Sequence, residues 1–262
     1  MKNTRVIAVA NQKGGVGKTT SVVNIGTALS MKGYRVLLID LDTQESLSNF
    51  FGVYSADNNI ADLMSKCIKH ENFLYTDYIV HNEKNQIDLI PSELNTMNAL
   101  EKDLILVRSR ETVLRRTLSD LDGNYDYILI DCPASLNVVL DNALSASDYV
   151  LIPCQALPLS YAAVPNLLLQ VADIQADINP DLKLLGIVTT MTDRTKNTEL
   201  TLEMLKHNYE KELFSVDIGR STLTAGSALS EKAVVLSMSK KNKVGQQYRD
   251  LTDEIVCRVE GA

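Results

Sequence analysis

The feature that most restricts this chain is the passage from a short apolar run, Arg5-Val-Ile-Ala-Val-Ala10, into the stretch Asn11-Gln-Lys-Gly-Gly-Val-Gly-Lys-Thr-Thr20. A run this short and this apolar reads as a strand covered on both faces. After Lys18 the apolar residues recur at helical spacing to about residue 32, and Gly33 is a natural stop. Strand, glycine loop and helix in that order set backbone N–H groups and a helix N-terminus around an anion with no side chain in the way. Gly14, Gly15, Val16 and Gly17 make the loop. Lys18 is then placed to neutralise terminal phosphates, Thr19 to offer its hydroxyl to Mg²⁺, and Thr20 to reach the α-phosphate. The pattern G-x-x-x-x-G-K-[ST] asks for glycine at position 12, where this chain has Gln12, so Lys13 is an additional cation beside Lys18.

Further aliphatic runs follow at Val36–Ile39, Ile87–Ile90, Tyr127–Ile130, Tyr149–Ile152 and Leu184–Val188. Helical spacing lies between them, at about 93–107, 109–121, 137–146, 160–176, 196–210 and 244–258. Continuous apolar strands alternating with helices predict an α/β, doubly wound, mostly parallel sheet with helices on both faces, whose ligands bind at the carboxyl ends of the strands. The stretch 52–85 is polar and weakly periodic, and no repeat or flexible linker divides the chain. Residues 1–262 are therefore expected to form a single P-loop domain. With the sheet starting by Arg5, no N-terminal helix-turn-helix domain is expected.

Composition narrows the setting. A hydrophobic content of 45% with 23% charged residues is that of a globular chain, and no run approaches eighteen apolar residues. The first residues leave no room for a signal peptide, so a cytoplasmic location is expected. Cys67, Cys132, Cys154 and Cys257 are far apart and read as buried thiols rather than as disulfides or a zinc site. A net charge of −7 argues against a wholly basic surface and leaves room for a local basic patch.

A magnesium–nucleotide site also needs carboxylates at neighbouring strand ends. Asp131 closes one run, and Asp40 and Asp42 follow another, where they are placed to assist at the metal or orient the attacking water. Together the segments Lys13–Thr19, Leu38–Gln44, Asp131–Leu136 and Ala146–Gln155 resemble the deviant Walker A ATPases, most closely the ParA/Soj branch that partitions plasmids and chromosomes. The resemblance implies an ATP- and Mg²⁺-dependent ATPase of slow intrinsic turnover. It gives Lys13 a role across a homodimer interface at the partner subunit's nucleotide, Asp42 the positioning of water, and Asp131 a place behind the metal. Two like charges repel in an empty site, whereas a triphosphate facing a second subunit can use both lysines. The same resemblance sets the adenine near Met191 and Ile218. Departures are Thr43 and Ala134 where the family commonly has proline, Glu45 where it often has glycine, and Ala156–Ala163 in place of an acidic-then-glycine pattern.

Family members of this kind bind double-stranded DNA without sequence preference as ATP dimers, on the nucleoid, and a ParB-like centromere-binding partner stimulates hydrolysis. Such contacts rest on Lys/Arg to phosphate. The resemblance points to Arg194 and Arg220, joined by Lys196 and the cluster Lys240, Lys241 and Lys243, with Lys232 and Arg249 as additions. A MinD-like ATPase at a membrane or cell pole is the alternative, although Val244–Ala262 carries Asp250, Asp253, Glu254 and Glu260 and has no basic amphipathic face, so no membrane partner is expected. A metal-cluster ATPase using Cys132 would need paired cysteines at the dimer axis. A small-molecule ligase or kinase with the same loop is a further reading.

Overall fold

The computed structural model describes residues 4–261 and gathers seven strands into one sheet. In chain order they are β1 (Arg5–Val9), β2 (Val36–Asp40), β3 (Val80–Asn82), β4 (Ile87–Ile90), β5 (Tyr127–Asp131), β6 (Tyr149–Gln155) and β7 (Lys183–Thr190). Their spatial order is β3-β4-β2-β5-β1-β6-β7. Every pairing is parallel except that of β3 with β4. The chain leaves β1, crosses over the place of β5 to reach β2, and later returns to flank β1 with β5 and β6. The strand order thus reverses around β1, which is where a doubly wound sheet opens a ligand crevice.

Strand alternation sends side chains into two cores. Val6, Ala8, Leu37, Ile39, Ile128 and Ile130 enter one; Ile7, Val9, Val36, Leu38, Tyr127 and Leu129 enter the other. The first core is covered by α3 (Ile60–Lys69), α4 (Leu94–Leu104), α5 (Val113–Thr117), α6 (Val138–Ala146), α8 (Val164–Asp177) and α9 (Lys196–Tyr209). The second lies under α1 (Lys18–Met31), α2 (Ser46–Phe50) and α11 (Lys243–Glu260). Two short helices, α7 (Pro158–Tyr161) and α10 (Leu223–Ser230), sit near the carboxyl ends of the strands. Helix α1 stops as expected: Gly33 N–H bonds Ser30 O at 2.8 Å and Tyr34 N–H bonds Leu29 O at 3.3 Å, the paired arrangement of a Schellman cap.

Several expected elements differ. The helix expected at 109–121 is broken: a 3₁₀ turn at Arg110–Thr112, α5, and a second 3₁₀ turn at Ser119–Leu121. That at 160–176 is two helices, because Pro165 can sit only at the start of α8. Strand β3 and helices α2, α3 and α10 were not foreseen. The β3 residues Val80 and His81 are exposed, so the strand owes its place to pairing with β4 and shows no apolar alternation. The expectation of four buried thiols holds for Cys132 and Cys154, while Cys67 is half-buried and Cys257 exposed. Cys257 lies on α11, whose buried stripe is Val244, Tyr248, Leu251, Ile255 and Val259, and faces away from it. Among the described residues no helix is long and apolar enough to cross a membrane.

Candidate active site

The loop between β1 and α1 turns on glycines in the left-handed region, Gly15 at φ 73° and Gly17 at φ 90°, a conformation that costs a side-chain-bearing residue about 1 kcal/mol. Gly17 also stands at the N-cap of α1, which has no side-chain cap and no acidic residue in its first turn. The leading N–H groups of α1 therefore keep their partial positive charge for a ligand. Two bonds from distant strands hold the loop: Thr190 Oγ1 donates to Val16 O at 2.8 Å, and Asn11 Nδ2 to Pro153 O at 2.7 Å. Val16 itself is buried, so its part in the loop is structural.

A cavity of about 890 Å³ opens over this loop. Gly14, Gly15, Gly17, Lys18, Thr19 and Thr20 form one wall, Asp42 and the α2 residues Asn49 and Phe50 another, and Pro133–Ser135 a third. Met191 and the α10 residues Thr224 and Ser227 complete it. Met191 has φ 53°, a strained value for a side chain this long, at the wall where the resemblance sets the base. Ile218 does not line the cavity. It is buried, with its N–H on Thr189 O at 2.9 Å and its carbonyl taking Thr192 N–H at 3.0 Å, because this part of the chain runs alongside β7.

Three carboxylates lie near Lys18, and the structure separates their roles. Asp131 and Asp40 pair in register at the ends of β5 and β2, so both are buried side by side on the α1 face. Burial pushes both above the usual carboxylate range, Asp40 to about 6, and the charge of Asp40 adds to the rise at Asp131. Asp131 Oδ2 accepts from Thr19 Oγ1 at 2.7 Å, while Oδ1 is buried without a hydrogen-bond partner. A buried carboxylate oxygen left open behind a threonine hydroxyl is the donor set that a hard divalent cation completes.

Asp40, expected at the metal, is committed elsewhere. Its Oδ2 accepts from Ser48 N–H at 2.8 Å and Ser48 Oγ at 2.7 Å, and its Oδ1 from Asp42 N–H at 3.1 Å. It thereby clamps both ends of the segment carrying Asp42. Asp42 is half-buried on the cavity wall, and Gln44 N–H donates to its Oδ1 at 3.0 Å.

Lys13 and Lys18 differ in what they face. Lys18 is 6% exposed and lines the cavity. Lys13 does not line it; its Nζ donates to Ser160 Oγ on α7 at 3.0 Å. Sequence reading missed Ser160, since nothing local ties position 160 to position 13.

Glu45 was noted only as a departure. It has φ 53°, which is the physical reason glycine suits this position, and its Oε1 accepts from Leu94 N–H at 2.6 Å, securing the start of α4 to the Asp42 segment. The α10 wall was also missed, because Leu223–Ser230 is built of small residues with a weak apolar stripe.

The basic candidates divide. Arg194, Lys196, Arg220, Lys240, Lys241 and Lys243 are all exposed. The bond of Gly219 N–H to Gln247 Oε1 at 3.0 Å sets the segment carrying Arg220 against α11, near whose start the lysine cluster lies in sequence, and the bridge between Thr192 and Gly219 joins that segment to the one that leads to Arg194 and Lys196. Arg220 Nε stands 3.9 Å from Asp193 Oδ2, an exposed pair worth little. Arg249 is occupied otherwise: its Nη1 donates to Val235 O at 2.7 Å and Nη2 to Gln246 Oε1 at 2.9 Å, a brace for the α11 start. Lys232 is exposed. Cys132 is buried, its thiol pushed up by burial, and does not line the cavity.

Residues 4–184 match the family model described as an AAA domain. The sporulation initiation inhibitor protein Soj of Bacillus subtilis (strain 168) is 33% identical over 97% of this chain and 98% of its own length. The chromosome partitioning protein ParA of Caulobacter vibrioides is 33% identical over 97% of this chain and 94% of its own. Among solved structures, cobyrinic acid a,c-diamide synthase from Mycobacterium smegmatis, with bound ATP analogue and magnesium, matches with TM-score 0.84 and 33% identity, covering 98% of this chain and 96% of the other.

Proposed function

Because the chain belongs to the ParA/Soj-type P-loop ATPases, we propose that it is a DNA-partition ATPase whose single domain binds Mg²⁺-ATP, pairs with a second copy, and holds DNA until hydrolysis releases it. The observation that carries this reading is the division of the two lysines. Lys18 lines the cavity of its own chain, whereas Lys13, in the same loop, stays outside it. A cation so close to a triphosphate site yet unused there is available to another copy's nucleotide. Nucleotide state then governs assembly state.

Within one protomer, the N-terminus of α1 and Lys18 receive the phosphates. Thr19 would hold Mg²⁺ with Asp131 behind it, and the ion would supply positive charge to offset that of the phosphates. Asp42 orients a water at the γ-phosphate and Asp40 keeps Asp42 in place through its N–H. With a carboxylate that orients rather than strongly deprotonates, turnover is slow until a ParB-like partner acts on the assembled dimer. The exposed Arg194, Lys196, Arg220, Lys240, Lys241 and Lys243, doubled in the dimer, would offer their charge to DNA phosphates. Assembly on DNA would place the protein at the nucleoid.

DNA co-sedimentation with ATP, with ADP and without nucleotide, run beside anionic liposomes, tests this. Pelleting with DNA in ATP alone is expected; pelleting with liposomes alone would overturn it in favour of a membrane role. The likeness to the Mycobacterium synthase favours one second reading, an ATP-dependent ligase. Phosphate release that requires an organic acid rather than DNA would establish it.

A further inference from the structure

Lys13 is held at both ends. Its N–H donates to Asn11 Oδ1 at 2.9 Å, and Asn11 is itself anchored on Pro153 O. Its Nζ reaches Ser160 Oγ, and the neighbouring Gln12 Nε2 donates to Ala163 O at 3.0 Å. Both acceptors lie in Ala156–Ala163, the segment that departs from the family pattern. Ser160 is fully buried on α7, where its N–H bonds Leu157 O at 2.9 Å, so its hydroxyl has a set position.

We propose that Ser160 is a positioning residue that stores the Lys13 ammonium on its own protomer, so that this bond must break before Lys13 serves a second copy. The proposal rests on the dimer reading above. A neutral hydroxyl suits the task. It satisfies an ammonium with one hydrogen bond of modest strength, whereas the γ-phosphate of a facing copy offers full negative charge and wins the exchange. Nucleotide without a γ-phosphate offers less, and Lys13 stays with Ser160. The storage contact therefore raises the threshold for pairing and makes it depend on the triphosphate.

The test measures the dimer dissociation constant by analytical ultracentrifugation in Mg²⁺ and a non-hydrolysable ATP analogue, for wild type, Ser160→Ala, Ser160→Asp and Lys13→Ala, with folding followed by circular dichroism. Loss of a charged hydrogen bond should lower the constant of Ser160→Ala by about tenfold. The stronger acceptor in Ser160→Asp should raise it by at least as much. A structural role alone would move both variants in the same direction. That result, or equal pairing by Ser160→Ala and wild type, overturns the storage role; if Ser160→Asp does not fold, the alanine variant decides alone. Lys13→Ala separates the two levels. If it pairs normally, the dimer reading itself fails; if it cannot pair while Ser160→Ala matches wild type, only the storage role fails.

Discussion

The two ends of the sheet treat their polar side chains in opposite ways. At the amino ends of the parallel strands, Arg35 donates three bonds to the Asp126 carboxylate, Nη2 to Oδ1 at 2.9 Å, Nε to Oδ2 at 3.3 Å and backbone N–H to Oδ2 at 2.7 Å. The guanidinium bonds hold the Asp126 carboxyl below the usual range. Asp88 takes His81 Nδ1 and Tyr125 OH, each at 2.7 Å, and Thr4 Oγ1 donates to Tyr125 O at 2.7 Å. At the carboxyl ends, Asp40 and Asp131 lie side by side, both pushed up by burial, and Asp131 Oδ1 has no partner. Groups satisfied by the chain itself stabilise the fold; buried charge left unsatisfied is kept for a ligand, at a cost to the empty protein.

The contrast can be broken at its strongest point first. Lys18→Ala should lower ATP affinity by about 100-fold or more while leaving the melting temperature of the empty protein nearly unchanged, read by titration calorimetry and thermal melts. Asp42→Ala should slow hydrolysis by roughly tenfold or more with nucleotide affinity kept, since it removes the group that orients water; equal phosphate release by mutant and wild type would reject that role.

A pair of amide substitutions sharpens the comparison by sign. Asp131→Asn should raise the melting temperature of the nucleotide-free protein by about 3 °C, because it removes a buried like charge, and should abolish the extra stabilisation that Mg²⁺ adds to ATP. Asp88→Asn should lower the melting temperature by a similar amount, about 3 °C, and leave hydrolysis unchanged. Shifts of one sign in both would erase the distinction between the two ends.

Acidity gives a smaller test. Asp40 in the folded chain sits at about 6, above its ordinary value of 3.8. Its favourable contribution is therefore full below the ordinary value and lost as pH rises through about 6. The free energy of unfolding without ligand should drop by about 1 kcal/mol between roughly pH 5 and 7.5, measured by urea titration, and saturating Mg²⁺-ATP should flatten the slope. The smallest effect is expected at Glu45→Gly. Relief at φ 53° offsets loss of the bond to Leu94 N–H, leaving stability within about 0.5 kcal/mol of wild type.

Much of this was legible along the chain. Six of the seven strands announce themselves as aliphatic runs, and Gly14–Thr20 names the anion site, since the turn, the missing side chains and the following helix are consecutive. Strand β3 was not legible, being three residues held by a neighbour. Nor was the break between α7 and α8, where apolar spacing continues through Pro165. The basic residues could be named from the chain, but the placing of the Arg220 segment against α11 depends on Gly219 meeting Gln247. Arg249 shows the converse, a candidate by composition that proves to be a brace.

By itself, the sequence determined a doubly wound sheet with a phosphate loop after its first strand, because alternation, glycine turns and helix starts act over a few consecutive residues. Tertiary structure alone decided that Asp40 clamps Ser48 while Asp131 keeps an open oxygen, and that Lys13 rests on Ser160, 147 positions away. Those outcomes depend on ångström distances between groups that only the packed sheet brings together, and on burial that sets what each charge costs.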